Sequence, residues 1–330
     1  MSKSNASASA FGWDFQVNSA ILLMLENIKD AKKVRVEGVD EDIEITFEDK
    51  TKIYAQVKAV EKPEDTSNVI GKLTKALETL SAASKKGDGR LFTYVTNSYN
   101  PFNNKETIPY FIGRTHLYFN ELPIFARNKI KDIIKKKNYS DLDVNKMDIR
   151  VIPFYGDDLK NRYKEIKSYI NEFLEEIEIK AEVNNTKIMN IWQNDFFHNA
   201  TQSNTSISIS KEKMIWPLIV IVVESTVAKD YENDFDEEDI EEIEQKYKDI
   251  INHNTMRYEM VSRVLTDYIE KKDKIKVFVK EQWENYLDIV KEIESDEEIK
   301  ESIVKIILYK ILKRRKDIKR IKKGANLLDN

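Results

Sequence analysis

The architecture of this chain follows from two short segments, residues 36–45 (VEGVDEDIEI) and residues 53–58 (IYAQVK). Successive side chains of an extended strand point to opposite faces, so Asp42 and Glu44 share one face and the isoleucines beside them share the other. The polar residues 48–51 (EDKT) between the segments predict a turn. We therefore expect a β-hairpin with one wet, charged face and one apolar face.

The charged face of this hairpin combines groups that suit a metal-dependent phosphodiesterase. Alternation in the second segment adds Tyr54, Gln56 and Lys58 to that face. Hydrolysis of a phosphodiester requires charge neutralisation, an activated water and a stabilised leaving oxygen, and Mg²⁺ can serve all three needs. Mg²⁺ prefers oxygen ligands, which the Asp42 carboxylate, the Gln56 amide and the Val57 backbone carbonyl offer. The Lys58 ammonium would then orient the attacking water or offset developing charge.

The hairpin is one of several segments that follow a characteristic order. Residues 12–16 (GWDFQ) open an apolar helix, the run at 37–45 and the triplet at 56–58 (QVK) come next, and residues 91–97 (LFTYVTN) form a later strand. In this order the chain resembles the restriction-endonuclease-like PD-(D/E)xK superfamily, in the variant with Gln at the last acidic position. Within it, the chain looks like the double-stranded DNA endonuclease domain of bacterial anti-phage systems such as CBASS and Lamassu.

This resemblance covers roughly the first half of the chain and implies roles for individual residues. Asp42 matches the metal-binding aspartate, Gln56 matches the position that is usually acidic, and Lys58 matches the catalytic lysine. Gln16 matches a polar helix residue that faces the site in related nucleases. We therefore predict Asp42, Gln56, Lys58 and Gln16 as the catalytic residues.

The resemblance also implies a cofactor, Mg²⁺ or Mn²⁺. We predict Asp42, Gln56 and Glu37 as its ligands. The spacing from Glu37 to Asp42 is loose against the family pattern. It leaves Asp40 and Glu44 open as alternative sources of the second carboxylate.

Composition excludes several other chemistries. The 330 residues include no cysteine, three scattered histidines and only eight glycines. The residues that form disulfides, His- or Cys-based metal sites and phosphate-binding glycine loops are therefore absent or too few. The formal net charge is −4, and any attraction to DNA must come from local basic surface. The most apolar run, residues 214–223, is too short to cross a bilayer and is predicted to be a buried strand or helix. A cytoplasmic location is expected.

The patterning divides the chain into three parts. Residues 1–10 are predicted to be a flexible lead-in, residues 11–180 a nuclease domain, and residues 181–330 a helical domain for regulation or partner docking. The expected fold class is an α/β domain, with a mixed sheet flanked by helices, followed by an all-α domain. Within the latter, Ser295 and Glu298 predict a capping box at the start of a helix.

Two charge runs stand out in the second half. Nine acidic residues and no basic residue lie between positions 232 and 244, and nine basic residues with only Asp317 lie between positions 310 and 323. Solvated helix surface is the default interpretation of both runs. The functional interpretation of the basic run is contact with the DNA backbone or docking onto an acidic partner.

These observations lead to a main hypothesis and to alternatives. The chain is predicted to be a metal-dependent DNA endonuclease of a Lamassu-like defence system, held inactive or recruited through its helical half. The resemblance implies a double-stranded DNA substrate, an SMC-like ATPase and an accessory subunit as partners, and homo-oligomerisation on activation; no membrane partner is expected. The runner-up is a catalytically silent, nuclease-derived DNA-binding or scaffold subunit. A weaker alternative is an RNA-directed nuclease.

Overall fold

The computed structural model describes residues 6–180, 183–226 and 237–327. Residues 1–5 of the predicted lead-in and much of the acidic run lie outside the described residues. The described chain has an N-terminal α/β region and a helix-rich C-terminal region, which confirms the predicted fold class. It divides into two compact units, the first formed by residues 6–173 and 185–214, the second by residues 174–180, 183–184, 215–226 and 237–327.

Seven strands of the described residues form one mixed sheet. In chain order they are β1 (Ala31–Val36), β2 (Ile43–Phe47), β3 (Lys52–Lys58), β4 (Gly89–Thr96), β5 (Thr115–Tyr118), β6 (Met147–Val151) and β7 (Ile209–Ser210). Their order across the sheet is β5-β6-β4-β3-β2-β1-β7. The pairs β3–β4 and β4–β6 are parallel, and the other neighbouring pairs are antiparallel.

The helices of the described residues precede, connect and follow these strands. They are α1 (Ala6–Glu26), α2 (Val69–Ser84), α3 (Ile124–Lys137), α4 (Leu159–Arg162), α5 (Lys164–Glu176), α6 (Asn185–Ala200), α7 (Lys211–Glu224), α8 (Glu237–Lys246), α9 (Lys248–Thr255), α10 (Tyr258–Lys271), α11 (Ile275–Gln282), α12 (Glu297–Lys313) and α13 (Arg315–Gly324). Short 3₁₀ helices lie at Lys105–Tyr110, Phe119–Glu121, Val144–Lys146 and Trp283–Val290. No helix of the described residues is both long enough and apolar enough to span a bilayer.

The predicted hairpin is confirmed, but its charged face is not wet. β2 and β3 pair antiparallel with Ile43 opposite Ala55 and Glu44 opposite Tyr54. α2 packs against β3 and β4, and Glu44, Tyr54 and Gln56 are all buried. The expectation of a solvated face was wrong because alternation identifies which residues share a face and gives no information about what covers that face.

α2 follows directly from helical periodicity. Its buried side chains recur three or four residues apart, as expected for one face of a helix. They join aromatic residues of β3 and β4 in one core cluster; the members from α2 are Leu73, Ala76, Leu77, Leu80 and Ala83. The chain leaves this helix through Gly87, whose φ of 75° is a conformation that glycine adopts at little cost.

The first unit extends past the predicted boundary at residue 180. β7 pairs with β1, and α6 packs against α1. The buried Arg35 guanidinium donates to the backbone carbonyls of Asn199, Gln202 and Ile207. One β1 side chain therefore satisfies three carbonyls, one in the last turn of α6 and two in the segment after it. At the other end, the described part of the lead-in, residues 6–10, is already helical.

In the second unit, α12 is buried almost all round and contacts α8, α9, α10, α11 and α13. A helix that is apolar on every side is a core helix. The basic run begins inside it, where the buried Lys310 pairs with Glu244 at 3.0 Å. The apolar run at 214–223 is helical and includes Pro217.

The start of α12 differs from the predicted capping box by one residue. The N-cap is Asp296, whose side chain accepts a hydrogen bond from the Ile299 backbone amide at 3.0 Å. Ser295 precedes the cap, and its buried hydroxyl has no hydrogen-bond partner among the described residues. Ser295 and Asp296 are both residue types that commonly cap helices, and the local sequence does not show which of the two is the N-cap.

The cap assignment predicts unequal effects of two neighbouring substitutions. Asp296→Ala removes the acceptor for an otherwise unpaired helix amide and should lower the free energy of unfolding by about 1 kcal/mol. Ser295→Ala should leave it nearly unchanged. Urea unfolding followed by circular dichroism measures both, and an equal loss in the two variants would contradict the assignment.

Candidate functional site

The candidate site lies where the loop between β1 and β2 meets the end of β3. The hairpin register, with Ile43 opposite Ala55, places Asp42 opposite Gln56 when continued by one residue. α1 reaches the loop through Gln16, and α2 reaches Gln56 through Thr79. The site is therefore built from four separate elements of the first unit.

The β1–β2 loop is a tight turn with a strained entry. Glu37 has a φ of 53°, in the left-handed region that non-glycine residues rarely adopt. Its backbone amide donates to the Asp42 carbonyl at 2.8 Å, and the Gly38 amide donates to the Glu41 carbonyl at 3.0 Å. A Cβ atom at Gly38 would lie 2.3 Å from the Glu44 carboxylate, so a larger residue here would displace that carboxylate. The turn fixes the backbone positions from which the Glu41 and Asp42 side chains extend.

One oxygen of Asp42 brings the predicted hairpin residues together. Asp42 Oδ2 accepts hydrogen bonds from Gln56 Nε2 and from the Val57 amide at 2.8 Å, and Lys58 Nζ lies 3.5 Å from it. Burial raises the pKa of the Asp42 carboxyl, although Lys58 and the Val57 amide act in the opposite direction. Desolvation therefore outweighs the donors around this carboxylate.

Gln16 also reaches the site, where its side-chain amide links Glu37 to Asp42. Gln16 Nε2 donates to Glu37 Oε1 at 2.8 Å and to the Asp42 carbonyl at 3.1 Å. The other two candidate carboxylates form ion pairs elsewhere. Asp40 pairs with Lys86 at 2.7 Å and Glu44 pairs with Lys52 at 3.1 Å.

The sequence reasoning missed Glu41. This side chain is buried; Oε2 lies 3.2 Å from the Thr79 hydroxyl oxygen, whereas Oε1 is buried without a hydrogen-bond partner among the described residues. Burial raises its pKa to about 8, and the neighbouring Asp42 adds to the increase. Strand alternation would place residues 41 and 42 on opposite faces, but residue 41 lies in the turn, where alternation does not hold.

Thr79 sets the orientation of the Gln56 amide. Its hydroxyl contacts Gln56 Oε1 at 2.6 Å, so the amide nitrogen faces Asp42. Coordination of a metal through the Gln56 carbonyl, as predicted, would need a half-turn of this amide. Thr79 lies three residues after the buried Ala76 on α2, and a polar residue at that spacing was the available signal.

The donor set suits a hard divalent cation. Within the described part of the chain, no group of three or more His, Asp or Glu side chains forms a preassembled metal site. Besides the predicted ligand Glu37, whose charge raises the pKa of Asp42, the oxygens of the site are the Gln56 amide oxygen and two carboxylates, at Glu41 and Asp42. Both carboxyls have raised pKa values, and the Glu41 oxygen without a donor is a group that a cation would satisfy. These residues fit Mg²⁺ or Mn²⁺.

An open cavity of about 560 Å³ adjoins this donor set. Trp13 and Gln16 line it from α1, Asp42 and Lys58 line it from the hairpin, and Lys72 lines it from α2. The Lys72 ammonium donates to the Ala59 carbonyl, and burial lowers its pKa. A substrate could therefore approach the Asp42 carboxylate from solvent.

Comparison with protein-family models, curated proteins and solved structures finds no match to the chain.

The Glu41 carboxyl predicts a pH dependence of stability. Its pKa of about 8 in the folded protein lies above the ordinary value of 4.5, so the folded protein binds more protons than the unfolded chain between these values. The free energy of unfolding contributed by this group therefore falls as pH rises from about 4.5 to about 8. Glu41→Gln should flatten that fall and stabilise the protein at pH 8.

Urea unfolding in EDTA across this pH range provides the measurement. Glu64→Gln, at an exposed position of the first unit, is the matched control and should follow the wild-type curve. A Glu41→Gln protein with the wild-type slope would show that Glu41 is ionised in the folded state.

Proposed function

We propose that the chain is a metal-dependent DNA endonuclease of the PD-(D/E)xK type. The observation that supports this most is the convergence on Asp42 Oδ2 of Gln56, the Val57 amide and Lys58, beside an open cavity. The sequence resemblance assigns these same side chains to metal binding and catalysis.

Each residue has a chemical task in this proposal. Asp42 and Glu41 would hold the cation together with the Val57 carbonyl, and Gln56 would contribute its carbonyl oxygen with its amide in the turned orientation. The bound cation supplies neutralisation of the phosphate charge and a water of lowered pKa. Lys58 would orient the attacking water or offset charge on the phosphate as a compact ammonium. Gln16 positions the loop by its bond to the Asp42 carbonyl.

The proposal extends to a biological role. The chain acts as an effector of a bacterial anti-phage system, and its helical C-terminal half restrains it or recruits it to partners. Following the Lamassu-like resemblance, those partners are an SMC-like ATPase and an accessory subunit, with homo-oligomerisation on activation. Restraint has a physical rationale, because an unregulated nuclease that cuts duplex DNA would damage its host.

A catalytically silent scaffold or DNA-binding subunit is the second candidate. One observation favours it: Asp42 Oδ2 already has three protein donors, and Gln56 presents its amide nitrogen to it. Such hydrogen bonds can stabilise the hairpin without a cation. Glu41 favours catalysis instead, since a scaffold gains nothing from a buried carboxylate oxygen without a partner.

Lys58→Ala distinguishes the two candidates. Without the ammonium, metal-dependent cleavage of plasmid and linear DNA should fall at least about a hundredfold, the scale of a lost catalytic charge. The thermal melt should change little, because Lys58 is a partly exposed residue at a strand end. The assay compares Mg²⁺, Mn²⁺ and EDTA, with RNA digested in parallel.

Lys52→Ala is a closely matched control. Lys52 lies on the same face of β3, also pairs with a carboxylate, and its side chain is 25% exposed against 27% for Lys58. It should cleave DNA as the wild type does. Equal activity of the Lys58→Ala and wild-type proteins, or no activity in either, would reject the endonuclease.

The neutral Gln56 predicts weak metal binding. Gln56→Glu adds a carboxylate next to Asp42 and should shift the Mg²⁺ dependence of cleavage to concentrations roughly tenfold lower, since each added ligand charge strengthens binding of a hard cation. Isothermal titration with Mg²⁺ measures the affinity directly. Unchanged affinity would exclude Gln56 as a metal ligand.

A further inference from the structure

Trp13 places a large aromatic side chain on the wall of the cavity next to Asp42. The indole is half-buried and lines the same cavity as Gln16 and Lys58. Trp13 precedes Gln16 by three residues on α1, so the two side chains lie on the same helix face. Gln16 in turn bonds to the Asp42 carbonyl. The indole is thus about one helical turn from the candidate site.

A second aromatic residue supports the indole. Phe197 of α6 packs edge-on against Trp13, with ring centroids 6.4 Å apart and planes at 64°. Phe197 is itself 48% exposed. An edge-to-face contact sets the edge of one ring against the face of the other, so Phe197 covers at most one face of the indole. Exposed aromatic rings beside a polar cavity are the usual platform on which nucleic-acid bases stack.

The charges of the cavity suit a small number of phosphates. Its cations are Lys58 and Lys72, while the carboxylates of Asp42, Glu61 and Asp65 line it as well. Proteins bind a duplex backbone by neutralising many phosphates with clustered basic residues. Two lysines offset by acidic neighbours provide little of that. Lys58 and Lys72 are two ammonium groups on the wall of one cavity, where a single phosphate can contact both.

We propose that the cavity binds a single unpaired nucleotide, with its base stacked on Trp13 and its phosphate against Lys58 and Lys72. This inference rests on the proposed function for the identity of the ligand as DNA. Inside an intact duplex both faces of every base are covered by neighbouring bases. An indole can stack on a base only at an end, a gap or a single-stranded segment, or after the base has been flipped out. The preferred substrate is therefore DNA with an unpaired nucleotide beside the cleaved phosphate.

Fluorescence of 2-aminopurine tests stacking independently of cleavage. Short single-stranded DNA oligonucleotides with the analogue at each position in turn, and the same sequences as blunt duplexes, are titrated with protein in Ca²⁺. Wild-type protein should quench the probe in single strands and bind them at least tenfold more tightly than duplexes. Trp13→Leu should lose the quenching and bind about tenfold more weakly, as expected for one lost stacking contact, whereas Trp13→Phe should retain most of both.

Trp283→Leu is the matched control, because it removes a half-buried indole from the other compact unit. It should behave as the wild type. An oligonucleotide with an abasic residue at the quenched position tests the same contact without altering the protein and should bind about tenfold more weakly. Wild-type binding by Trp13→Leu, equal affinity for the abasic oligonucleotide, or preference for blunt duplex would each overturn the inference.

Cleavage of the same oligonucleotides in Mg²⁺ separates this inference from the proposed function. Trp13-dependent quenching without cleavage by any wild-type preparation would leave the nucleotide site standing and reject the endonuclease. Cleavage that does not depend on Trp13 or on an unpaired nucleotide would leave the endonuclease standing and reject the stacking site.

Discussion

The structure around the site depends on the cost of burying the Asp42 carboxylate. A charged group removed from water must gain hydrogen bonds or opposite charges, or it becomes protonated. Here β3 supplies the donors in sequence, from the Gln56 side chain, the Val57 amide and the Lys58 ammonium. They converge only because the hairpin register pairs Ile43 with Ala55. A slip of one residue would turn the side chains of β3 to the opposite face and leave Asp42 without them.

The loop before β2 adds a second carboxylate to the first. Glu37 adopts a left-handed backbone conformation, and Gly38 allows the Glu44 carboxylate to approach closely, so the chain turns tightly enough for Glu41 to point inward. Adjacent carboxyls in a buried site raise one another's pKa. Glu41 responds most, because the Thr79 hydroxyl is the only hydrogen-bond partner of its carboxylate among the described residues, while Asp42 has several donors. The local strain and the raised pKa are therefore consequences of the same turn.

The parts of this arrangement that were predictable from sequence are the strands and helices, whose polar and apolar residues recur at a regular spacing. Alternation identified the hairpin, and apolar spacing identified the face of α2 with Leu73 and Leu77. Glu41 was not predicted as a site residue because it lies in a turn. Thr79 was not predicted because a single polar residue on an amphipathic helix resembles any other surface position. The attachment of residues 185–214 to the sheet depends on Arg35, whose backbone-carbonyl partners lie more than 160 residues away and leave no trace in local sequence.

The same hydrogen bonds that stabilise the site also limit its affinity for a cation. The Gln56 amide nitrogen and the Lys58 ammonium form hydrogen bonds to the Asp42 carboxylate. Thr79 donates to the Gln56 carbonyl and keeps that oxygen turned away from Asp42. In the proposed endonuclease, Asp42, Glu41 and the Gln56 carbonyl would hold a cation only after these contacts are broken, Glu41 has lost its proton and the Gln56 amide has turned. Each step raises the free energy of metal binding relative to a site with a third carboxylate in place of Gln56. In the proposed endonuclease, weak occupancy at rest follows from the site itself, and a partner or substrate that reorients Gln56 would increase it.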